Sequence, residues 1–226
     1  MAAMNSPLCT VIELRRYRMQ AGRRDELIEL FEREFIATQQ AVGLHVLGIF
    51  REPREPERFT WLRGFADMAA RAAGLAAFYD GPVWRAHRSA ANATIVDSDD
   101  VLLLRPSPGL PGLRLREPAG TNTPRPWCAI ELALLQPADD ALREAVSRNW
   151  LPALAQCGAQ DAAVLETEPT PNNVPRLPVR SDGPKLVLLA AGLSAADPVP
   201  PAVLGRFLAG PPKVLELAPT VRSPLN

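Results

Sequence analysis

The sequence predicts an α+β fold in which one chain builds the same βαββαβ layer twice and turns the two four-stranded sheets face to face as a barrel-like core. Three observations predict it. Short segments recur in the same order in both halves: "TVIELRRY" at 10–17 with "CAIELALL" at 128–135, "FTWLRGFA" at 59–66 with "LVLLAAGL" at 186–193, and "VLLLRPS" at 101–107 with "VLELAPT" at 214–220. Each half places a helical stretch ending near glycine after its first strand. The resulting order is the ferredoxin-like split motif, which sets both helices on one sheet face and leaves the other face to be covered. A second copy of the sheet covers it, driven by apolar burial worth roughly 25 cal/mol per Å².

Each element has a local reason. Thr10–Tyr17 alternates β-branched and aromatic residues as a strand does. In 23–40, Leu27, Ile28, Phe31 and Phe35 fall at helical spacing, with acids early and Gly43 as a stop. Leu44–Phe50 and Phe59–Phe65 are strands around the charged hairpin "REPREPER". Asp67 is placed to cap an alanine-rich helix reaching Tyr79. Gly81 ends that helix, and Pro82 suits the first turn of a short second one. Val101–Arg105 closes the first unit. In the second, strands at 127–136, 162–167, 185–191 and 213–217 surround a helix at 140–156, which Pro152 should kink, and a stunted helix at 202–208.

Prolines cluster at 53–56, 106–126, 169–184, 198–201 and 211–224 and mark loops. The longest such stretch divides the chain into domains 1–106 and 127–226, joined by a linker at 107–126. The 226 residues carry zero formal net charge, which argues against a nucleic-acid surface. No run approaches the roughly 18–20 apolar residues of a membrane span, and no secretory leader is evident. Three scattered cysteines without a C-x-x-C, and two distant histidines, point to a cytoplasmic protein with no disulfide framework and no metal site.

"VIELRRYRMQAGRRDELIELFE", followed by "FTWLRGFADMAARAAGLAAFYDGPVWRAHRSAANATIVDSDDVLLLRP", resembles the NIPSNAP family of the dimeric α+β barrel superfamily over about residues 10–106. The second half resembles it in element order alone. The resemblance implies tandem ferredoxin-like units forming an intrachain dimeric α+β barrel, as a monomer or homodimer. It implies no common reaction. Relatives in the wider superfamily include cofactor-independent monooxygenases, small-ring isomerases and haem-binding enzymes. No axial histidine can be assigned here, so no cofactor is expected.

In such a unit a cavity lies between the sheet and its helices. The segment 76–93 concentrates rings and polar heads as small-molecule sites do. The candidates for ligand contact are Glu13, His45, Trp61, Arg63, Trp84 and Arg88. His87 with Tyr79 is the acid/base candidate, since an imidazole near pKa 6.5 suits proton abstraction. Parity puts Trp61 with Arg63, and Glu13 with Arg15, on shared strand faces, without saying which face is inward. Arg63 either pairs with Glu13 or binds an anion. The recurrence of Glu13 as Glu131 favours a structural role for it. Three readings stay open: a small-ligand binder with its site in the first half, a cofactor-independent monooxygenase or isomerase, and a non-catalytic interaction protein.

Overall fold

The computed structural model describes residues 9–115, 125–193 and 200–225. Nearly half of the expected linker (116–124), and 198–199 of one proline cluster, lie outside them. The first half comprises β1 (Val11–Met19), α1 (Arg24–Leu30) continued through a wider π turn into α2 (Ile36–Gln40), β2 (His45–Arg51), β3 (Arg58–Phe65), α3 (Met68–Tyr79), α4 (Pro82–Thr94), β4 (Ile95–Asp97) and β5 (Val101–Pro106). The second half comprises β6 (Trp127–Ala133), α5 (Asp140–Ala145) continued through another π turn into α6 (Leu151–Gln156), β7 (Asp161–Thr167), β8 (Lys185–Ala191), a 3-10 turn (Ala202–Phe207) and β9 (Lys213–Pro219).

The strands close into an antiparallel barrel. Around the ring run β1, β3, β2, β9, β6, β8, β7 and β5, and β5 returns to β1. The seams between the halves are β2 with β9 and β5 with β7. The short strand β4, absent from the sequence reading, adds to the end of β1.

Parity now acquires a direction. Ile12, Leu14, Leu62, Leu102 and Leu104 meet Trp127, Ala129, Val187, Leu189 and Leu215 inside the barrel. Eight strands leave an interior just wide enough for side chains to fill, and these fill it. The alternate residues face outward beneath the helices. In the first half they include Val11, Tyr17, Trp61 and Phe65, packed against Leu27, Phe31, Phe35 and Phe78. In the second, Ile130, Leu132, Leu186 and Leu188 pack against Leu142, Val146 and Trp150.

Register corrects one of the sequence matches. Arg63 stands opposite Glu13, whereas Ala190, its counterpart in the aligned strands β3 and β8, stands opposite Cys128. The shared Ile-Glu-Leu is therefore displaced by three residues. Ile12 and Leu14 face the barrel, while Ile130 and Leu132 face the helices. Any slip by an odd number of residues reverses every side chain of a strand, so Glu131 is not the positional equivalent of Glu13.

The helix signals hold at their ends. Asp67 accepts from Ala70 N at 2.7 Å as the cap of α3, and Pro82 sits in the first turn of α4. That helix runs for thirteen residues, longer than the short helix expected. Pro152 lies in the first turn of α6, just after the π turn Val146–Trp150. In a continuous α-helix its ring would strike the carbonyl four residues back, and the wider turn gives way there.

Gly74 sits mid-helix in α3, where alanine normally adds about 1 kcal/mol. Here a Cβ would lie 2.3 Å from Leu44 Cδ2 and 3.0 Å from Val42 O. Gly74→Ala is therefore expected to destabilise, by about 1–3 kcal/mol, in chemical denaturation. A stabilised variant would show that α3 does not press this closely on the start of β2.

Candidate functional site

The helix-facing side of β1 and β3 carries charge where a core would be apolar. Glu13, Arg63 and Arg71 are fully buried and Arg15 is 2% exposed. Glu13 Oε2 accepts from Arg15 Nη1 at 2.8 Å and from Arg63 Nη2 at 2.7 Å and Nε at 3.1 Å. Its Oε1 accepts from Arg71 Nε at 2.8 Å. Burial opposes the carboxylate's charge, but Arg63, Arg15 and Arg71 outweigh it and hold Glu13 far below the ordinary range. Burial also opposes the charge on Arg15, but Tyr17, Glu13 and Tyr79 outweigh it and raise its pKa. Burial lowers that of Arg71, with Arg63 and Arg15 adding to the shift against Glu13. One carboxylate thus answers three guanidinium groups.

Around this floor lies a cavity of about 160 Å³. Arg15, Tyr17, Trp61 and Arg63 line it from the sheet. Phe31, Phe35 and Gln39 come from the first helical segment, Phe78 and Tyr79 from α3, and Trp84, Ala91 and Asn92 from α4. The rings meet edge-on or tilted, with Phe31 4.8 Å from Trp61, Phe35 5.5 Å from Trp84, and Tyr79 5.0 Å from Trp84 between centroids. Arg15 and Arg63 stack over Trp61 at 5.6 and 5.0 Å. A dry cavity of about 150 Å³ holds one benzene molecule, so this space is the size of a single substituted ring.

The second half supplies the remaining wall. The proline-bearing loop between β7 and β8 crosses to the first half and places Leu177 in the cavity lining. Arg71 Nη1 donates to Asn172 Oδ1 and Asn173 Oδ1 at 3.0 and 2.8 Å. Asn173 Nδ2 donates to Met68 O at 2.6 Å, and Arg176 lies 5.6 Å from the Tyr79 ring centroid. Prolines fix φ along this loop and reduce the entropy lost in seating it.

A larger hollow of about 280 Å³ lies beside Trp127, Leu151 and Leu154, bordered by Pro111–Arg114. Among the described residues it holds no cluster of buried charge. Asp161, on its wall, lies 3.6 Å from Arg125. The smaller cavity is therefore the better site: its wall carries the unbalanced groups.

Residues 12–111 match the model of the NIPSNAP family. This stretch is a NIPSNAP domain. Among solved structures, the whole chain is similar to a proposed monooxygenase from Lactobacillus acidophilus NCFM, at 11% identity and a TM-score of 0.57, over 92% of this chain and 93% of that one. It is likewise similar to one from Fusobacterium nucleatum, at 8% identity and 0.58, over 95% and 94%. An uncharacterised NIPSNAP-like domain protein from Burkholderia xenovorans is 27% identical over 48% of this chain and 95% of that one, with a TM-score of 0.42. The whole-chain likenesses show the fold. No curated protein matches the chain.

Within the NIPSNAP domain, Trp61, Arg63, Tyr79 and Trp84 of the expected residues line the cavity. Glu13 lies behind it as the counter-ion of Arg63, the pairing that was one of the two readings of that arginine. Three others are not in the lining, which corrects the expectation. His45 pairs with Gly64 and so belongs to the barrel face of β2, opposite the helices. His87 turns to the first helical segment, its Nε2 3.7 Å from Glu34 and its ring beside Phe35. Arg88 is exposed on α4. The lining face of that helix is Trp84, Ala91 and Asn92, where small Ala91 leaves the space.

Arg15, Tyr17 and Gln39 were missed. Parity with Glu13 could have found the first two. Gln39 lies four residues beyond Phe35 on the same helical stripe. On the helix-facing side of the second half, β6 carries Cys128 and Ile130 and β8 carries Leu188 and Ala190. The corresponding residues of β1 and β3 are Glu13, Arg15, Trp61 and Arg63. The charged floor has no counterpart there.

Proposed function

We propose that this chain is a small-ligand-binding α+β barrel protein made of two ferredoxin-like units, with one ring-sized organic ligand held in the NIPSNAP domain. The strand orders β5-β1-β3-β2 and β9-β6-β8-β7 support the tandem reading, with units at 1–106 and 127–226. The observation that carries the binding reading is the cavity of about 160 Å³, ringed by aromatic side chains over a charged floor. The barrel interior is filled, so the space between the first sheet and its helices is where a ligand fits. The ring of strands is complete within one chain, which supports a monomer whose sheets need no second copy.

Monooxygenase or isomerase chemistry is the second reading, and the proposed monooxygenases that share the fold favour it. It requires a base that reaches the ligand. His87 stands outside the lining, which leaves Tyr79, since burial raises the pKa of the Tyr17 phenol and keeps it protonated. Oxygen uptake or isomerisation with activated phenols, lost in Tyr79→Phe, would establish turnover.

Binding is tested by tryptophan fluorescence with benzoate, benzamide and phenol. At least one is expected to bind the wild type, and Trp84→Ala to weaken it several-fold, up to about tenfold for the loss of ring contacts worth about 0.5–1.5 kcal/mol. Absence of binding by all three, or affinity unchanged in Trp84→Ala, would overturn the reading.

A further inference from the structure

We infer that the ligand of this cavity is an organic anion, a ring carrying a carboxylate or enolate, received by Arg15, Gln39 and Tyr17. The inference rests on the cavity being a binding site and goes further by fixing the charge of what enters it.

The first ground is charge. Glu13 is the carboxylate that accepts from Arg15, Arg63 and Arg71, and no other described carboxylate is in hydrogen-bond contact with them. Two positive charges therefore remain in a buried network. Burying unpaired charge is strongly unfavourable, and a bound anion relieves it.

The second ground is the direction of the free hydrogen-bonding groups. Arg15 spends Nε on Tyr17 at 3.0 Å and Nη1 on Glu13, and its Nη2 has no acceptor among the described residues. Gln39 is 1% exposed, and its Oε1 accepts from Arg63 Nη1 at 3.1 Å. An arginine can only donate, so that contact fixes the amide orientation and leaves Nε2 as a donor with no acceptor among the described residues. Tyr17 accepts through its hydroxyl oxygen from Arg15, so the hydroxyl hydrogen remains to be given. The unused polar groups of the buried floor are thus donors without acceptors. A ligand bearing acceptor oxygens satisfies them. A cation or a donor-rich ligand does not.

The third ground is the body of the site. Trp61, Trp84, Phe31 and Phe35 offer ring faces and edges over a volume that admits one ring. Ring and anionic head are required together.

Isosteric probes separate the charge from the shape. Calorimetry at neutral pH on the full chain compares benzoate, neutral benzamide and cationic benzamidine. Benzoate is expected to bind about tenfold or more tighter than benzamide, with benzamidine weakest. Arg15→Met should remove the preference while benzamide affinity stays. Gln39→Glu, nearly isosteric and adding a carboxylate beside Arg63, should reduce benzoate affinity by about tenfold or more with folding retained, so the answer does not depend on Arg15→Met folding. Equal binding of benzoate and benzamide, or a preference that survives in Gln39→Glu, would overturn the inference and leave the ring-binding reading standing. Failure of benzoate, benzamide and phenol alike would overturn both.

Discussion

Replacing Glu13 by alanine is expected to destabilise the protein by about 3–5 kcal/mol, the size of effect seen when one partner of a buried ion pair is removed. Against a typical total stability of about 5–15 kcal/mol, that is a large fraction. The cause is local. Arg15, Arg63 and Arg71 come from β1, β3 and α3 and converge on this one carboxylate. Without it, three guanidinium groups share a dry site. Glu13→Gln keeps the shape and should still lose most of the stability, as read by urea denaturation. A loss below about 1 kcal/mol, the range of exposed pairs, would mean that the arginines are solvated.

The same carboxylate sets an acid limb. Its pKa in the unfolded chain is about 4.3, and in the fold the arginines hold it well below that. A depressed carboxylate contributes stability above its unfolded pKa, and that contribution is lost as pH falls through and below about 4. Glu13→Gln should flatten the limb without abolishing it. Glu166, despite its burial, is also held low by Arg143 and Arg105, and Asp182 by Arg180 and Lys185.

Trp150→Ala should cost about 3–5 kcal/mol, the range for removing a large buried ring. Trp150 is fully buried against Leu142, Val146, Leu154, Leu186 and Leu188. The consequence is not expected to stay in the second half. The strands form one closed ring, and Leu102 and Leu104 pack with Val187 and Leu189 in one interior. Urea unfolding should remain a single transition. Far-UV dichroism and the fluorescence of Trp61 and Trp84 should share its midpoint and shift together. Two separated transitions would mean that the halves fold independently and that the shared interior adds little to either.

The fold was legible where local chemistry decides it. Alternation located the strands, and Asp67 and Pro82 marked helix starts. The matches at β3 with β8 and β5 with β9 also carry the correct facing. The match at β1 with β6 does not, because the order of letters cannot reveal a three-residue displacement; that is set by which residues hydrogen-bond across strands. This displacement matters for the site. It separates Glu13 from Glu131 and puts Cys128 and Ile130 where the first half has Glu13 and Arg15.

The candidate site was legible in part for the same reason. Trp61, Tyr79 and Trp84 stood out as aromatic residues in a chain with few of them, and Arg63 as a charge set in a strand between aromatic neighbours. His87 and Arg88 stood out equally, but helix rotation turned them to Glu34 and to solvent. Arg15, Tyr17 and Gln39 are ordinary letters until β1 is given a direction. Leu177 could not have been found at all. It reaches the cavity through a tertiary crossing of a loop from the other half, and nothing in its local sequence encodes that crossing.

The central claim is that ligand space lies between the first sheet and its helices. The four tryptophans, Trp61, Trp84, Trp127 and Trp150, test it directly, because their indole N–H signals report on separate places. Trp61 and Trp84 line the aromatic cavity, Trp127 the larger hollow, and Trp150 the core of the second half. In a nitrogen–proton correlation spectrum titrated with benzoate, the signals of Trp61 and Trp84 should move while those of Trp127 and Trp150 stay. Movement of Trp127 with Trp61 and Trp84 unchanged would contradict the account.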